Sequence, residues 1–203
     1  MRHIYLIRHG EVAWNSEGAY IGSTDLPLND TGKQQAELLA DRLRTKSISA
    51  IYSSDLSRAF ETAHIMGTVR GLNVTPNTRL REMNYGEWEG LTEKQIVDSY
   101  PESFNQWRIN AADAIIPGGE SIRQMVERAY SAFIEIVFSH ADEDIAVVAH
   151  KSVNRAIICM ILGIPVSHYR IIGQHNSCVN TMHVRDNNLI VVDTINDRCH
   201  LWR

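Results

Sequence analysis

The chain has 203 residues, enough for one domain with a full core, and its 44% hydrophobic and 22% charged residues are ordinary for a globule. A net charge of -4 gives a nucleic-acid partner no overall electrostatic support, and no apolar run approaches the ~18 residues of a membrane span. The N-terminus runs straight into a strand pattern without a signal-peptide core, and Cys159, Cys178 and Cys199 are widely spaced with no C-x-x-C, so free core thiols in a reducing cytoplasm are expected.

The apolar run at residues 4–7 predicts a buried strand, with Arg8-His9-Gly10 at its carboxyl end. A long loop rich in Gly, Asn, Ser and Asp follows. Asp30 or Thr31 is then expected to cap a helix carrying Ala36, Leu39, Ala40 and Leu43 on one face. Residues 48–52 predict a second strand that runs into Ser53-Ser54-Asp55. The next helix carries Leu56, Ala59, Phe60, Ala63 and Met66 until Gly71 stops it, and residues 72–74 read as a short strand. From 79 to 119 the pattern loosens, with short helical pieces near 93–99 and 102–108. Ile122, Met125, Val126, Ala129, Phe133 and Val137 then mark a long amphipathic helix. Residues 145–149 form an apolar strand with His150 directly after it, and a helix over 152–162 stops at Gly163 and Pro165. Strands at 179–184 and 189–195 end the pattern. This alternation predicts one domain over 1–203, a three-layer α/β/α fold with a mostly parallel central sheet, and a short lid at about 83–117.

Four features fall at strand or loop ends, where chemistry collects in such sheets. They are Arg8-His9-Gly10, Arg58 in the first turn of its helix, Glu82, and His150. Two histidines alone would fit a metal, but two arginines beside them would repel a cation, and no His-Glu-x-x-His or His-x-His spacing is present. The set suits a phosphate dianion, with no metal and no cofactor. A neutral His9 can attack phosphorus through Nε2 if another group holds its Nδ1–H. Arg8, Arg58 and a protonated His150 would hold the oxygens. Glu82, a carboxyl beside a bound dianion, would keep a proton for the leaving alkoxide and then activate water. Gly10 is expected to leave room for phosphate against backbone N–H groups, with Asn15 and the N–H of Gly10 or Lys151 as extra donors. Trp14, Trp88 and Trp107 are expected to pack, and Glu87 and Glu89 to be surface charges.

Several stretches, spanning most of the chain, resemble the histidine phosphatase (phosphoglycerate-mutase-like) superfamily, and in its order. They are Arg8-His9-Gly10-Glu11 to Trp14-Asn15, Gly22 with Leu26-Pro27-Leu28, Thr31-Gly32 to Gln35-Ala36, Ser53 to Ala59 with Thr62-Ala63, Arg81 to Gly90, Pro117 to Ser121, and Val147 to His150. The resemblance implies a phosphoglycerate-mutase-like fold and a metal-independent phosphohistidine mechanism. His9 is then the nucleophile, Glu82 the proton donor, and Arg8, Arg58 and His150 the phosphate ligands. Where members often have glycines after the second histidine, this chain has Lys151-Ser152; the lysine would add charge toward an acidic substrate or simply be solvated. Cys199-His200-Leu201 resembles the tail of the superfamily's phosphoserine phosphatases, which implies a substrate contact for His200.

The expected activity is therefore a cytoplasmic phosphatase acting on a small phosphorylated metabolite of the phosphoserine kind. Phosphoglycerate mutase and α-ribazole-5'-phosphate phosphatase are the alternatives, and a non-catalytic phosphometabolite binder ranks last. Between Leu91 and Pro117 only Lys94 and Arg108 are basic, which disfavours a mutase that must re-bind a second phosphate. No nucleic-acid or membrane partner is expected. Symmetry base rates and the relatives point to a homodimer, which the sequence leaves open.

Overall fold

A computed structural model describes residues 2–202. The six strands are β1 (Arg2–Arg8), β2 (Ile48–Ser53), β3 (Val74–Pro76), β4 (Asp144–Ala149), β5 (Val179–Val184) and β6 (Ile190–Asp197). They form one sheet in the order β3-β2-β4-β1-β5-β6. The first four in that order are mutually parallel; β5 runs antiparallel to β1, and β6 antiparallel to β5. The seven α-helices are α1 (Ala13–Glu17), α2 (Asp30–Leu43), α3 (Ser57–Thr68), α4 (Glu93–Ser99), α5 (Pro101–Ile109), α6 (Ile122–Phe138) and α7 (Lys151–Leu162).

The two faces of the sheet follow from strand alternation. Tyr5, Ile7, Ala146 and Val148 face α2 and α3, where they meet Leu39, Leu43, Ala59 and Met66. Ile4, Leu6, Ile145 and Val147 face the other way and pack with Ala129, Phe133 and Ile157 of α6 and α7. Because both faces are covered, β1 over residues 4–7 and β4 over 145–149 are apolar without a break, as buried parallel strands require.

The segment 83–117 differs from the lid expected of it. It holds α4 and α5, and its Trp88, Ile96, Phe104 and Trp107 are buried in the same core as the sheet. The Trp88 and Trp107 rings meet edge to face, with centroids 5.5 Å apart. Each such aromatic gains about 1.5–3 kcal/mol from burial, so the segment is a packed wall. All three tryptophans singled out are packing residues: Trp14 is half-buried against the cluster of Val12, Ile21, Leu28 and Ala36.

Smaller differences have local causes. Asn29, rather than Asp30 or Thr31, caps α2, its Oδ1 accepting the Gly32 N–H at 2.7 Å. The third strand starts at Val74 because the Leu72 N–H is used by the Gly67 carbonyl, closing α3. The short α1 and a 3-10 helix at Val166–Ile171 were not foreseen; both are too brief for a periodic pattern. Cys159 and Cys178 are buried free thiols, but Cys199 is exposed, since the chain end lies on the surface. Among the described residues no helix is long and apolar enough to cross a membrane.

Candidate active site

Two adjacent parallel strands place the two histidines. Arg8 at the end of β1 is in register with Ala149 at the end of β4, so His9 and His150 are the next residue on each strand. The His9 N–H donates to the Ala149 carbonyl at 3.1 Å. The two rings lie with centroids 5.1 Å apart and planes tilted by 58°. His150 also opens α7, yet its ring makes no cap bond and is kept for the site.

His9 is oriented by its own neighbour. Its Nδ1 lies 2.6 Å from the Gly10 carbonyl, which can only accept, so Nδ1 carries the proton and Nε2 the lone pair. Burial pushes the His9 pKa well below the ordinary imidazole value, Arg58 and Arg8 push it further, and the bond to Gly10 opposes them. The imidazole is thus neutral at pH 7.

His150 is fully buried, and burial followed by Arg58, His9 and Arg8 lowers its pKa as well. The expectation of a protonated His150 concerns the site with an anion bound. Before an anion arrives, a buried cation beside two guanidinium groups is disfavoured.

The cationic groups are partly committed and partly open. Arg58 is fully buried; its two Nη atoms donate to the carbonyls of Thr24 at 2.8 Å and Gly22 at 2.7 Å. Arg8 donates one Nη to the Gln174 carbonyl at 2.8 Å. Burial brings its pKa down to about 10, so it stays charged at neutral pH. The Nε atoms of Arg8 and Arg58 and both ring nitrogens of His150 are buried with no hydrogen-bond partner among the described residues. Buried donors left in this state are costly, and a bound anion would satisfy them.

Glu82 is buried on the cavity wall. One oxygen accepts the Met83 N–H at 2.8 Å and the other the Ser152 N–H at 3.1 Å. Each oxygen keeps a second lone pair for a proton. Arg128 braces this turn by donating to the carbonyls of Arg79, Arg81 and Glu82.

The remaining expected residues are placed unequally. Asn15 and Lys151 line the cavity. Asn15 Oδ1 accepts from Asn176 at 3.0 Å and from the Val12 N–H at 3.1 Å. Gly10 is needed for a different reason from the one expected. Its N–H donates to the Thr62 hydroxyl at 3.1 Å, and a Cβ there would lie 2.5 Å from the Gly32 carbonyl oxygen. Gly10 thus permits two chain segments to touch, and its N–H is not offered to a ligand.

His200 is not brought to the cavity. It is buried on α2, where its Nδ1 lies 3.1 Å from an Arg42 Nη that can only donate. Asp197 takes Arg42's other Nη, so the chain end is fastened there. Glu89 is likewise more than a surface charge: it accepts the N–H groups of Ser23, Thr24 and Tyr85 and the Thr24 hydroxyl, opposite the grip of Arg58 on the same loop.

The cavity, about 490 Å³ in volume, also exposes residues that were not foreseen: Tyr20, Arg155, Tyr169, Arg170 and Asn176. Arg155 had a usable signal, lying four residues after Lys151 on the same helix face. Arg170 sits in the short 3-10 helix and Asn176 in a turn, where no periodicity points to them.

With this geometry in view, the similarities to known proteins are specific. The family model "Histidine phosphatase superfamily (branch 1)" matches residues 4–198. The chain is 31% identical over 201 residues to phosphoserine phosphatase 1 of Hydrogenobacter thermophilus, covering 99% of this chain and 95% of that protein. It is 33% identical over 209 residues to a Salmonella choleraesuis protein named probable phosphoglycerate mutase GpmB, covering 99% and 95%. Among solved structures, a mycobacterial glucosyl-3-phosphoglycerate phosphatase complexed with VO3 matches with a TM-score of 0.86 at 31% identity, covering 98% of this chain and 100% of that one. The chain belongs to the histidine phosphatase superfamily. Within it, the class of activity is that of a phosphoric monoester hydrolase.

Proposed function

We propose that this protein hydrolyses a small phosphorylated metabolite of the phosphoserine type through a phosphohistidine on His9. The observation that carries the reading is the Nδ1–H bond from His9 to the Gly10 carbonyl, which leaves Nε2 as a neutral nucleophile among buried donors. His9 Nε2 attacks phosphorus, the bond from phosphorus to the alkoxide oxygen breaks, and Glu82 gives that oxygen its proton. Arg8, Arg58 and His150 hold the phosphoryl oxygens as charge spreads over them. Glu82, now a carboxylate, takes a proton from water. The water oxygen attacks phosphorus, the N–P bond breaks, and phosphate leaves with His9 neutral again.

A 490 Å³ cavity suits a small ester. The names of the relatives support a phosphometabolite, and the scarcity of basic residues between Leu91 and Pro117 supports hydrolysis over mutase transfer. One sheet with cores on both faces supports a single histidine-phosphatase domain over 1–203. Three free cysteines are consistent with a cytoplasmic setting.

The test is phosphate release from p-nitrophenyl phosphate and a panel of phosphometabolites in EDTA, with rapid acid and alkaline quench on labelled ester. An acid-labile, base-stable label is expected on the wild type and none on His9→Ala. Release without any such label would sink the phosphohistidine route; no release from any ester would sink the phosphatase reading.

A further inference from the structure

The cavity holds more positive charge than one phosphate needs. Arg8, Lys151, Arg155 and Arg170 line it, against the carboxylates of Glu82 and Glu93. The chain as a whole carries -4, so this concentration is local. Arg8, with Arg58 behind it, belongs to the phosphoryl group. Lys151, Arg155 and Arg170 are left over, and no carboxylate lies within 4 Å of any of them among the described residues.

These three are presented by ordered structure. Lys151 and Arg155 lie one turn apart on α7. Arg155 Nε donates to the Ile172 carbonyl at 2.6 Å, which fixes the guanidinium. The Arg170 guanidinium lies 3.8 Å from the Trp107 ring centroid, near Tyr20 and Tyr169 on the cavity wall. Grouping them has an electrostatic cost in the empty site: burial lowers the Lys151 pKa, and Arg8, Arg155 and Arg170 add to the effect while Glu82 opposes it. An anion among them removes that repulsion.

We propose that Lys151, Arg155 and Arg170 form a second anion subsite, so that the preferred substrates are phosphomonoesters carrying another anionic group, a carboxylate or a second phosphate, on the same small molecule. The inference rests on the phosphatase reading above and narrows its substrate class.

The test compares kcat/KM for 3-phosphoglycerate with that for glycerol 3-phosphate, which replaces the carboxylate by a hydroxymethyl group. 1,3-Propanediol bisphosphate, which carries no carboxylate, is the arm for a second phosphate, and p-nitrophenyl phosphate is the reference without a second anion. A preference of about tenfold or more for a doubly anionic ester is expected, the worth of one good charge-assisted hydrogen bond. The better of the two doubly anionic esters identifies the group recognised. Arg170→Gln should reduce the preference through KM. Lys151→Met, at a side chain that lines the cavity and lies outside the hydrophobic cores, should do the same to a smaller degree. Equal kcat/KM for all the esters, or a wild-type preference that survives both substitutions, overturns the subsite while p-nitrophenyl phosphate turnover keeps the phosphatase reading intact. No turnover of p-nitrophenyl phosphate or any other ester overturns both.

Discussion

Glu82 Oε2 accepts the backbone N–H of Ser152 at 3.1 Å, across 70 positions of sequence. The bond ties the proposed acid to the first turn of α7, the helix that His150 opens. Glu82 and His150, the proposed proton donor and phosphate ligand, therefore share one support, and Arg128 also bonds the Glu82 carbonyl. Such double anchoring holds a catalytic geometry at low reorganisation cost.

The role of Glu82 can be isolated by the leaving group. Glu82→Gln keeps an oxygen for one of the two backbone N–H donors but cannot supply the acidic proton in the same way. Phosphoenzyme formation from an alkyl ester should slow by about 10²–10⁴-fold, the usual range for general acid catalysis. With p-nitrophenyl phosphate, whose leaving group needs no proton, single-turnover labelling of His9 should slow far less. Equal slowing for both esters would remove Glu82 as the acid.

Arg58 has a structural role and a proposed catalytic one, and a substitution series separates them. Its Nη atoms hold the Gly22 and Thr24 carbonyls, while its Nε is buried without a partner among the described residues. Arg58→Ala is expected to reduce kcat by about 10²–10³-fold, as for one lost anion-hole donor. Arg58→Lys should recover little, because an ammonium cannot reach two carbonyls and an anion in one plane. Wild-type kcat in either variant would exclude Arg58 from transition-state stabilisation.

The buried histidines make the empty protein acid-sensitive. His9 and His150 have folded pKa values well below the ordinary value of 6.5, chiefly through burial. Below pH ~6.5 the unfolded chain binds protons that the folded one refuses, so stability rises with pH up to that point and falls on acidification. Each histidine contributes a slope of up to about 1.4 kcal/mol per pH unit in the window below 6.5 and above its folded pKa. Urea unfolding at pH 7.5 and 5.5 should show this loss. Vanadate or phosphate should offset it, since an anion favours the protonated rings. A flat profile over that interval would contradict the neutral, buried state of both rings.

Gly10 offers a test of stability. An added Cβ would lie 2.5 Å from a backbone oxygen of Gly32, so Gly10→Ala must push two chain segments apart. Overpacking of this kind costs about 1–3 kcal/mol. For a chain of this length the melting temperature should fall by about 2–10 °C. Thermal unfolding followed by circular dichroism measures it, and an unchanged midpoint would mean that the contact yields freely.

The strands and helices that could be read from the sequence share one property, a periodic apolar pattern set by burial. Ile4, Leu6, Tyr5 and Ile7 alternate between two covered faces, and Met125, Ala129 and Phe133 recur at helical spacing. His9 and His150 were legible because each directly follows an apolar strand, and Arg58 because it lies in the first turn of a helix; Glu82, beyond β3 and a 3-10 turn at Thr78–Leu80, was legible from its motif. The helices α4 and α5 were located, but their union with the main core was not, because it depends on Trp88 and Trp107 meeting across 19 positions. His200 was misplaced for a similar reason: its partner, Arg42, is 158 residues away.

By itself, the sequence determined the order of elements and the residue types available for phosphoryl transfer, because burial period and side-chain chemistry are local properties. The tertiary structure alone decided that β1 and β4 end in register and bring two imidazole rings to 5.1 Å, and that His9 is neutral with its proton on Nδ1. It also decided that Lys151, Arg155 and Arg170 share one cavity. Those properties depend on distance and dielectric environment, which come into being only when segments remote in the chain are packed together.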